Sequence, residues 1–424
     1  MPMFRVHDPF RRGQLAIAAL FCSLGFQYAT WASRLPAIKS HLGLTAAEVG
    51  LLLMATGVGA AASFPLVAAL MRKVGSRRLS LASALCLTLL LFAMAAAPNY
   101  PVALVVMCCD GVLVACLNVA MNAQGAELEA RYERNAMARL HATFSGGSLG
   151  AALLASGMNT LTSTVAVHFA VAAVLLLLLL ASARSGLLVD DRAAAPGTNG
   201  ADGRDKAEDA ARDGTAKESK SRGRWTFPAR MTLWMGLAMA FGTVTEGAMN
   251  DWSALYMKDV AKASAELAPM GIAVVSVMMV LARLFADGWR SRWGDGRVVR
   301  VGSVLAGVGL ALALLSGGVA PALVGFACVG LGIAAVTPCV YVAAAGQGSD
   351  ALTLVATMGT TGLLAGPPVI GFIANATSLV WGLAAVSVSA VVVSLCSTQI
   401  RWTAPEPQAA TAVAAAAAPP APAP

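Results

Sequence analysis

Asp110 and Glu246 are carboxylates set in otherwise apolar stretches. A charge in such surroundings lines a cavity, makes a pair, or takes up and releases a proton. Asp110 lies about nine residues into its stretch, near mid-depth for a helix rising about 1.5 Å per residue. Asn118 and Asn122 follow at i+8 and i+12, with Gln124 nearby, and read as a polar stripe with Asp110. Hydrogen bonding between helices would use the same residues. Glu246 and Asn250 share a helix face, one turn apart. Glu246 is the first candidate for reversible protonation, with Asp110 the runner-up, and a fixed salt bridge of Glu246 with Arg34 is the alternative; Asp251, expected nearer water, suits a gate. Gln27 and Trp31 are also one turn apart. An indole there can stack on a sugar or aromatic cargo, or anchor at an interface. Arg283 has Asp287 four residues on as an expected partner. The candidate substrate-binding set is therefore Gln27, Trp31, Asp110, Asn118, Asn122, Glu246 and Asn250. Arg34, Asp110, Glu246, Asp251, Arg283 and Asp287 are the candidates for gating or coupling.

This chemistry is not that of an enzyme. The sequence has no compact nucleophile–base arrangement and no metal-ligand motif, and no cofactor is expected. Its eight cysteines form no CxxC pair and fall in or at the end of apolar segments, as small buried side chains do. Met231, Met235 and Met239 recur one turn apart among 18 methionines. Thioethers suit Cu(I), which leaves copper import as an alternative to core filling.

The elements that position these groups must cross a membrane. The chain is 58% hydrophobic and 12% charged, against about 25% charged in soluble domains. Apolar runs such as 171–183 and 301–315 are too long and too frequent for a soluble core. Turn residues and charges divide the chain into twelve spans: 14–34, 46–70, 79–97, 101–125, 137–159 and 163–185, then 230–256, 268–289, 298–316, 319–344, 350–374 and 378–398. With the N-terminus in the cytoplasm, only Arg34, Lys39, Lys258 and Lys262 of the 30 Lys and Arg fall outside, so both termini are expected inside. The net charge of +8 then orients the chain and implies no nucleic acid. Residues 187–229 are polar with alternating charge and read as a cytoplasmic linker. They separate a six-helix half at 1–186 from another at 230–399. The Ala/Pro-rich tail at 400–424 is expected to be disordered.

The halves look duplicated. Trp31 opens Trp31-Ala-Ser-Arg34 and Gly50 follows 19 residues later; Trp252 opens Trp252-Ser-Ala-Leu255 and Gly271 follows at the same interval. A basic turn comes next in each, Gly75-Ser-Arg-Arg78 and Gly294-Asp-Gly-Arg297. This architecture resembles the major facilitator superfamily over almost the whole chain. The family's loop between spans two and three reads Gly-x-x-x-Asp-Arg-x-Gly-Arg-Arg. Here Met71-Arg-Lys-Val-Gly-Ser-Arg-Arg78 keeps the glycine and Arg77, has Lys73 for the first arginine, and places Arg72 where the aspartate belongs and Ala68 for the leading glycine. The stretch Trp31-Ala-Ser-Arg-Leu-Pro-Ala-Ile-Lys39 with Leu42-Gly-Leu-Thr45 also resembles a bacterial branch related to sugar permeases. The resemblance implies an all-α polytopic protein of the bacterial inner membrane, with twelve helices in two pseudo-symmetric bundles. It implies a monomer moving a small solute by alternating access, with protons and lipids as its other partners. Efflux of an amphipathic compound fits the same pattern.

Overall fold

The computed structural model describes residues 8–134, 136–188 and 230–402. Most of the expected linker and tail lies outside them, as does the side chain of Asp287. Fourteen helices make up the described chain.

Helix α1 (Pro9–Ser33) opens on Asp8, whose carboxylate accepts the Phe10 N–H at 2.9 Å, with proline at the first helical position. It gives way at Arg34 to the short α2 (Leu35–Leu42), which stops at the left-handed Gly43. Thr45 and Glu48 then form a capping box that opens α3 (Ala46–Ala62). Helix α4 (Phe64–Ala95) is broken at Gly75, where φ is 76° and ψ is 162°. Helices α5 (Tyr100–Tyr132), α6 (Met137–Leu161) and α7 (Val165–Arg184) complete the first group. The chain stays packed beyond α7: Leu188 donates its N–H to Gln124 Oε1 at 2.9 Å, and Leu187 and Leu188 are buried. These two leucines, at the start of the expected linker, belong to the core of the first group.

The second group comprises α8 (Arg230–Asp259), α9 (Met270–Trp293), α10 (Asp295–Ser316), α11 (Val319–Ile333), α12 (Val336–Ala345), α13 (Ser349–Ala376) and α14 (Leu379–Gln399). Gly294 separates α9 from α10 with φ 79° and ψ 152°, close to the geometry of Gly75. Both glycines sit in the basic turns matched above, and both need a positive φ that side-chain-bearing residues resist.

Packing repeats as well. Helix α1 lies on α6 as α8 lies on α13; α3 lies on α5 as α9 lies on α11; α4 lies on α7 as α10 lies on α14. Eight helical segments, counting α11 with α12 as one, are long and apolar enough to cross a membrane, and the bent pair α2–α3 makes a ninth. Helices α6 and α8 are long but more polar. Large apolar side chains such as Leu178, Leu284, Val301, Trp381 and Leu395 project from the surface, as lipid-facing residues do. The fold is that of an all-α polytopic membrane protein.

Candidate functional site

The site is built on α1 and α8, which run beside each other where the first seven helices meet the last seven. Gln27 leaves α1 toward α5 and donates from Nε2 to Asp110 Oδ1 at 2.8 Å. Both side chains are buried. With Trp31 they line a small pocket among Leu90, Leu91, Met94, Val106 and Met107. Its room for water centres is ≈ 10 Å³, about one water's worth. Among the described residues, Gln27 Oε1, Asp110 Oδ2 and Trp31 Nε1 have no hydrogen-bond partner there. The pocket lies among α1, α4 and α5. Trp31 is buried, with its indole edge-on to Tyr28 at 5.1 Å between ring centroids.

The expected polar stripe on α5 divides. Asn118 is exposed and takes a bond from Asn122 Nδ2 to its Oδ1 at 2.6 Å. At about 100° per residue, these two lie well round the helix from Asp110, which explains the separation. Gln124 is buried elsewhere, donating to Ser76 Oγ at 2.8 Å.

The expected Arg34–Glu246 pair does not form. Arg34 is 4% exposed and donates from Nε to His168 Nδ1 at 3.0 Å, with Thr162 O at 3.5 Å from Nη2. This pins the α1–α2 corner to α6 and α7. His168 therefore carries its own proton on Nε2. Glu246 instead accepts from Arg283 Nη2 at 3.2 Å, while Arg283 Nη1 donates to Ser145 Oγ at 2.8 Å. The Arg283 guanidinium thus joins α8, α9 and α6. Both members of the ion pair are 27% exposed. Asn250 donates from Nδ2 to the Glu246 backbone carbonyl at 3.1 Å, within its own helix.

Asp251 differs from its expected wet position. It is buried, and its Oδ1 accepts the Tyr28 hydroxyl across the boundary between α1 and α8. Other hydrogen bonds cross the same boundary nearer the ends of α1 and α8. Lys39 Nζ meets Asp259 Oδ2 at 2.5 Å, Ser156 Oγ donates to Glu266 O at 2.6 Å, and Asn159 Nδ2 donates to Ala265 O at 2.7 Å. Tyr28, Ser145 and His168 were not among the sequence candidates. Of these, His168 is a histidine in an otherwise apolar run, and that was the available signal.

The methionines of α8 fill space. Met235 and Met239 are fully buried, and Met239 packs where a Cβ on Gly359 would come 2.7 Å from its Cγ.

Comparison with known proteins agrees with this fold. The Major Facilitator Superfamily pattern matches residues 15–349. The chain is 31% identical over 378 residues to an uncharacterized MFS-type transporter of Yersinia pestis, covering 86% of this chain and 90% of that one. It is 29% identical over 403 residues to the membrane protein MosC of Rhizobium meliloti, covering 94% and 93%. The crystal structure of a mutant form of the nucleoside transporter NupG superposes with a TM-score of 0.69 at 14% identity, covering 92% of this chain and 99% of that chain. The chain belongs to the Major Facilitator Superfamily, and it is a secondary transporter rather than an enzyme.

Proposed function

We propose that this transporter moves a small polar solute together with protons across the bacterial inner membrane, by alternating access between two six-helix halves. The halves are 1–186 and 230–399, the linker and both termini face the cytoplasm, and the spans number twelve. Three features support the twelve-span reading. Gly75 breaks α4 so that 64–74 can complete the crossing begun by α3 and 76–95 can form the next, α11 and α12 can together make one, and the helix pairings recur in both halves. Helices α6, α8 and α9 are 25, 30 and 24 residues long, enough to span although they are more polar. The stretch from Trp31 to Lys39 favours a place near the sugar-permease branch, which fits a polar cargo.

The observation that carries proton coupling is the setting of Asp110. It is buried about a third of the way along α5, and its side-chain partner is the neutral amide of Gln27. A buried acid is tolerated when it is paired with a cation or when it takes up a proton. Glu246 has its cation in Arg283; Asp110 has an amide. Asp110 is thus the favoured proton carrier, and the partly exposed Glu246–Arg283 pair, with Asn250 beside it, the favoured cargo-facing group.

Purified protein in proteoliposomes tests this reading. Sugars, amphipathic cations and Cu(I) are offered separately, with and without a pH gradient. Gradient-dependent accumulation of a neutral polar solute, lost in Asp110→Asn (D110N), is the expected result. Accumulation of a solute that ignores the gradient would refute the coupling; transport of only amphipathic cations or Cu(I) would refute the cargo class.

A further inference from the structure

Gln27 and Tyr28 are consecutive residues of α1, so their side chains leave the helix about 100° apart. One reaches Asp110 on α5 and the other crosses to Asp251 on α8. The Tyr28 ring stands edge-on to Trp31, which lines the same pocket as Gln27 and Asp110. A single turn of helix therefore carries the hold on Asp110 and one of the contacts with the opposite group of helices.

The Tyr28–Asp251 bond differs from its neighbours at that boundary. Lys39 and Asp259 are each about a quarter or more exposed, and exposed ion pairs contribute little. Ser156 and Asn159 meet backbone carbonyls of the 260–269 connection. Tyr28 and Asp251 instead join α1 and α8 side chain to side chain, in the last third of each helix, and Asp251 is buried. A hydroxyl donating to a buried carboxylate makes a strong bond because the acceptor is charged or strongly polar and water is excluded.

We propose that Tyr28 is a positioning residue of the transport cycle: its hydroxyl holds α1 against α8 through Asp251, and the turn it shares with Gln27 and Trp31 passes a change at Asp110 on to that contact. This rests on the alternating-access reading above. When the Gln27–Asp110 bond is remade, Gln27 shifts, and Tyr28 shifts with it because both ride on one rigid turn. Asp251 then loses or regains its donor, and the ends of α1 and α8 part or close.

The test uses the full chain in nanodiscs with spin-labelled non-canonical residues at positions 40 and 264, at the exposed ends of the two groups of helices. Wild type is expected to show a dominant short distance. Tyr28→Phe (Y28F) keeps the ring against Trp31 and removes only the donor, and should raise the ratio of long to short distances about tenfold. Asp251→Ala (D251A) should do the same, and Y28F/D251A should add little to either. D110N should shift the ratio in wild type and leave it unchanged in Y28F. An unaltered ratio in Y28F overturns the proposal. So does an additive double variant, or an equal effect of D110N in both backgrounds. Size-exclusion profiles and thermal melts show whether Y28F is folded; if it is not, Asp251→Asn (D251N), which can still accept from the tyrosine, should retain most of the short distance, and its full loss overturns the proposal. Proton coupling is read separately. If no solute accumulates under a pH gradient while Y28F still opens this end, the coupling reading falls and the role of Tyr28 stands.

Discussion

Gly50 on α3 and Gly371 on α13 lie against each other: a Cβ added to Gly371 would stand 3.0 Å from Gly50 Cα, and one added to Gly50 would stand 2.7 Å from the Pro367 carbonyl oxygen. This contact joins the two groups of helices on the side where α1 and α8 end. A valine at position 50 would push backbone against backbone, which cannot yield as a side chain can. We expect Gly50→Val (G50V) to keep that end from closing, so that cargo exchange falls at least tenfold while the thermal melt moves little. Overpacking of about 1–3 kcal/mol is enough to reverse such an equilibrium. Gly111→Ala (G111A) is the control, because a Cβ there would strike the Thr56 carbonyl within the first group of helices. That variant should lower the melting temperature itself. An equal loss of stability in both variants would contradict the distinction.

The Arg34–His168 bond should contribute to stability more than to coupling. It lies wholly within the first group of helices and pins the α1–α2 corner to α7. His168→Ala (H168A) removes the acceptor of a buried charged donor, a loss of about 1.5–3 kcal/mol. His168→Gln (H168Q) offers a carbonyl oxygen in its place and should recover part of it. Thermal melts in detergent compare the two. A wild-type melt in H168A would show that Arg34 finds another partner.

The secondary structure was legible because the signals are local. Long apolar runs gave the helices, and the duplicated basic turns located Gly75 and Gly294, which share one backbone geometry. The pairing of charges was not. Glu246 is separated from Arg283 by 37 residues and from Arg34 by far more, and the rotation and depth of each helix decide which arginine it meets. Tyr28 was passed over because a tyrosine in a membrane helix also serves as an ordinary interfacial anchor, and the sequence does not show that it faces α8. Asp251 was read as wet from its place near the end of a span, yet α1 packs over it and Tyr28 fills its hydrogen bond.

Membrane orientation can be tested outside the described residues. The lysine and arginine distribution predicts that 187–229 faces the cytoplasm. A cysteine introduced at Ala207 should resist a membrane-impermeant thiol reagent in intact cells and react after permeabilisation. Labelling in intact cells would invert the topology.

The last prediction separates the two acids. Glu246 and Arg283 form a 3.2 Å ion pair that is 27% exposed on each side. Glu246→Gln (E246Q) therefore does more than remove a titratable group, since it leaves Arg283 at membrane depth with Ser145 and an amide for partners. Breaking such a pair from one side costs about 3–5 kcal/mol when it is fully buried, and less in a partly exposed setting. Loss of transport in E246Q alone would thus reflect an orphaned cation as readily as a lost proton site. The double variant E246Q/R283Q removes both charges and the orphan with them. If Asp110 carries the proton, this double variant regains exchange and keeps gradient-driven accumulation, although with weaker cargo binding. If Glu246 carries it, the double variant exchanges cargo and fails to accumulate it. D110N gives the reciprocal pattern: exchange survives because cargo can cross both ways without net proton movement, and accumulation is lost. Measuring exchange and accumulation side by side in the three variants decides the matter, and we expect accumulation to follow Asp110.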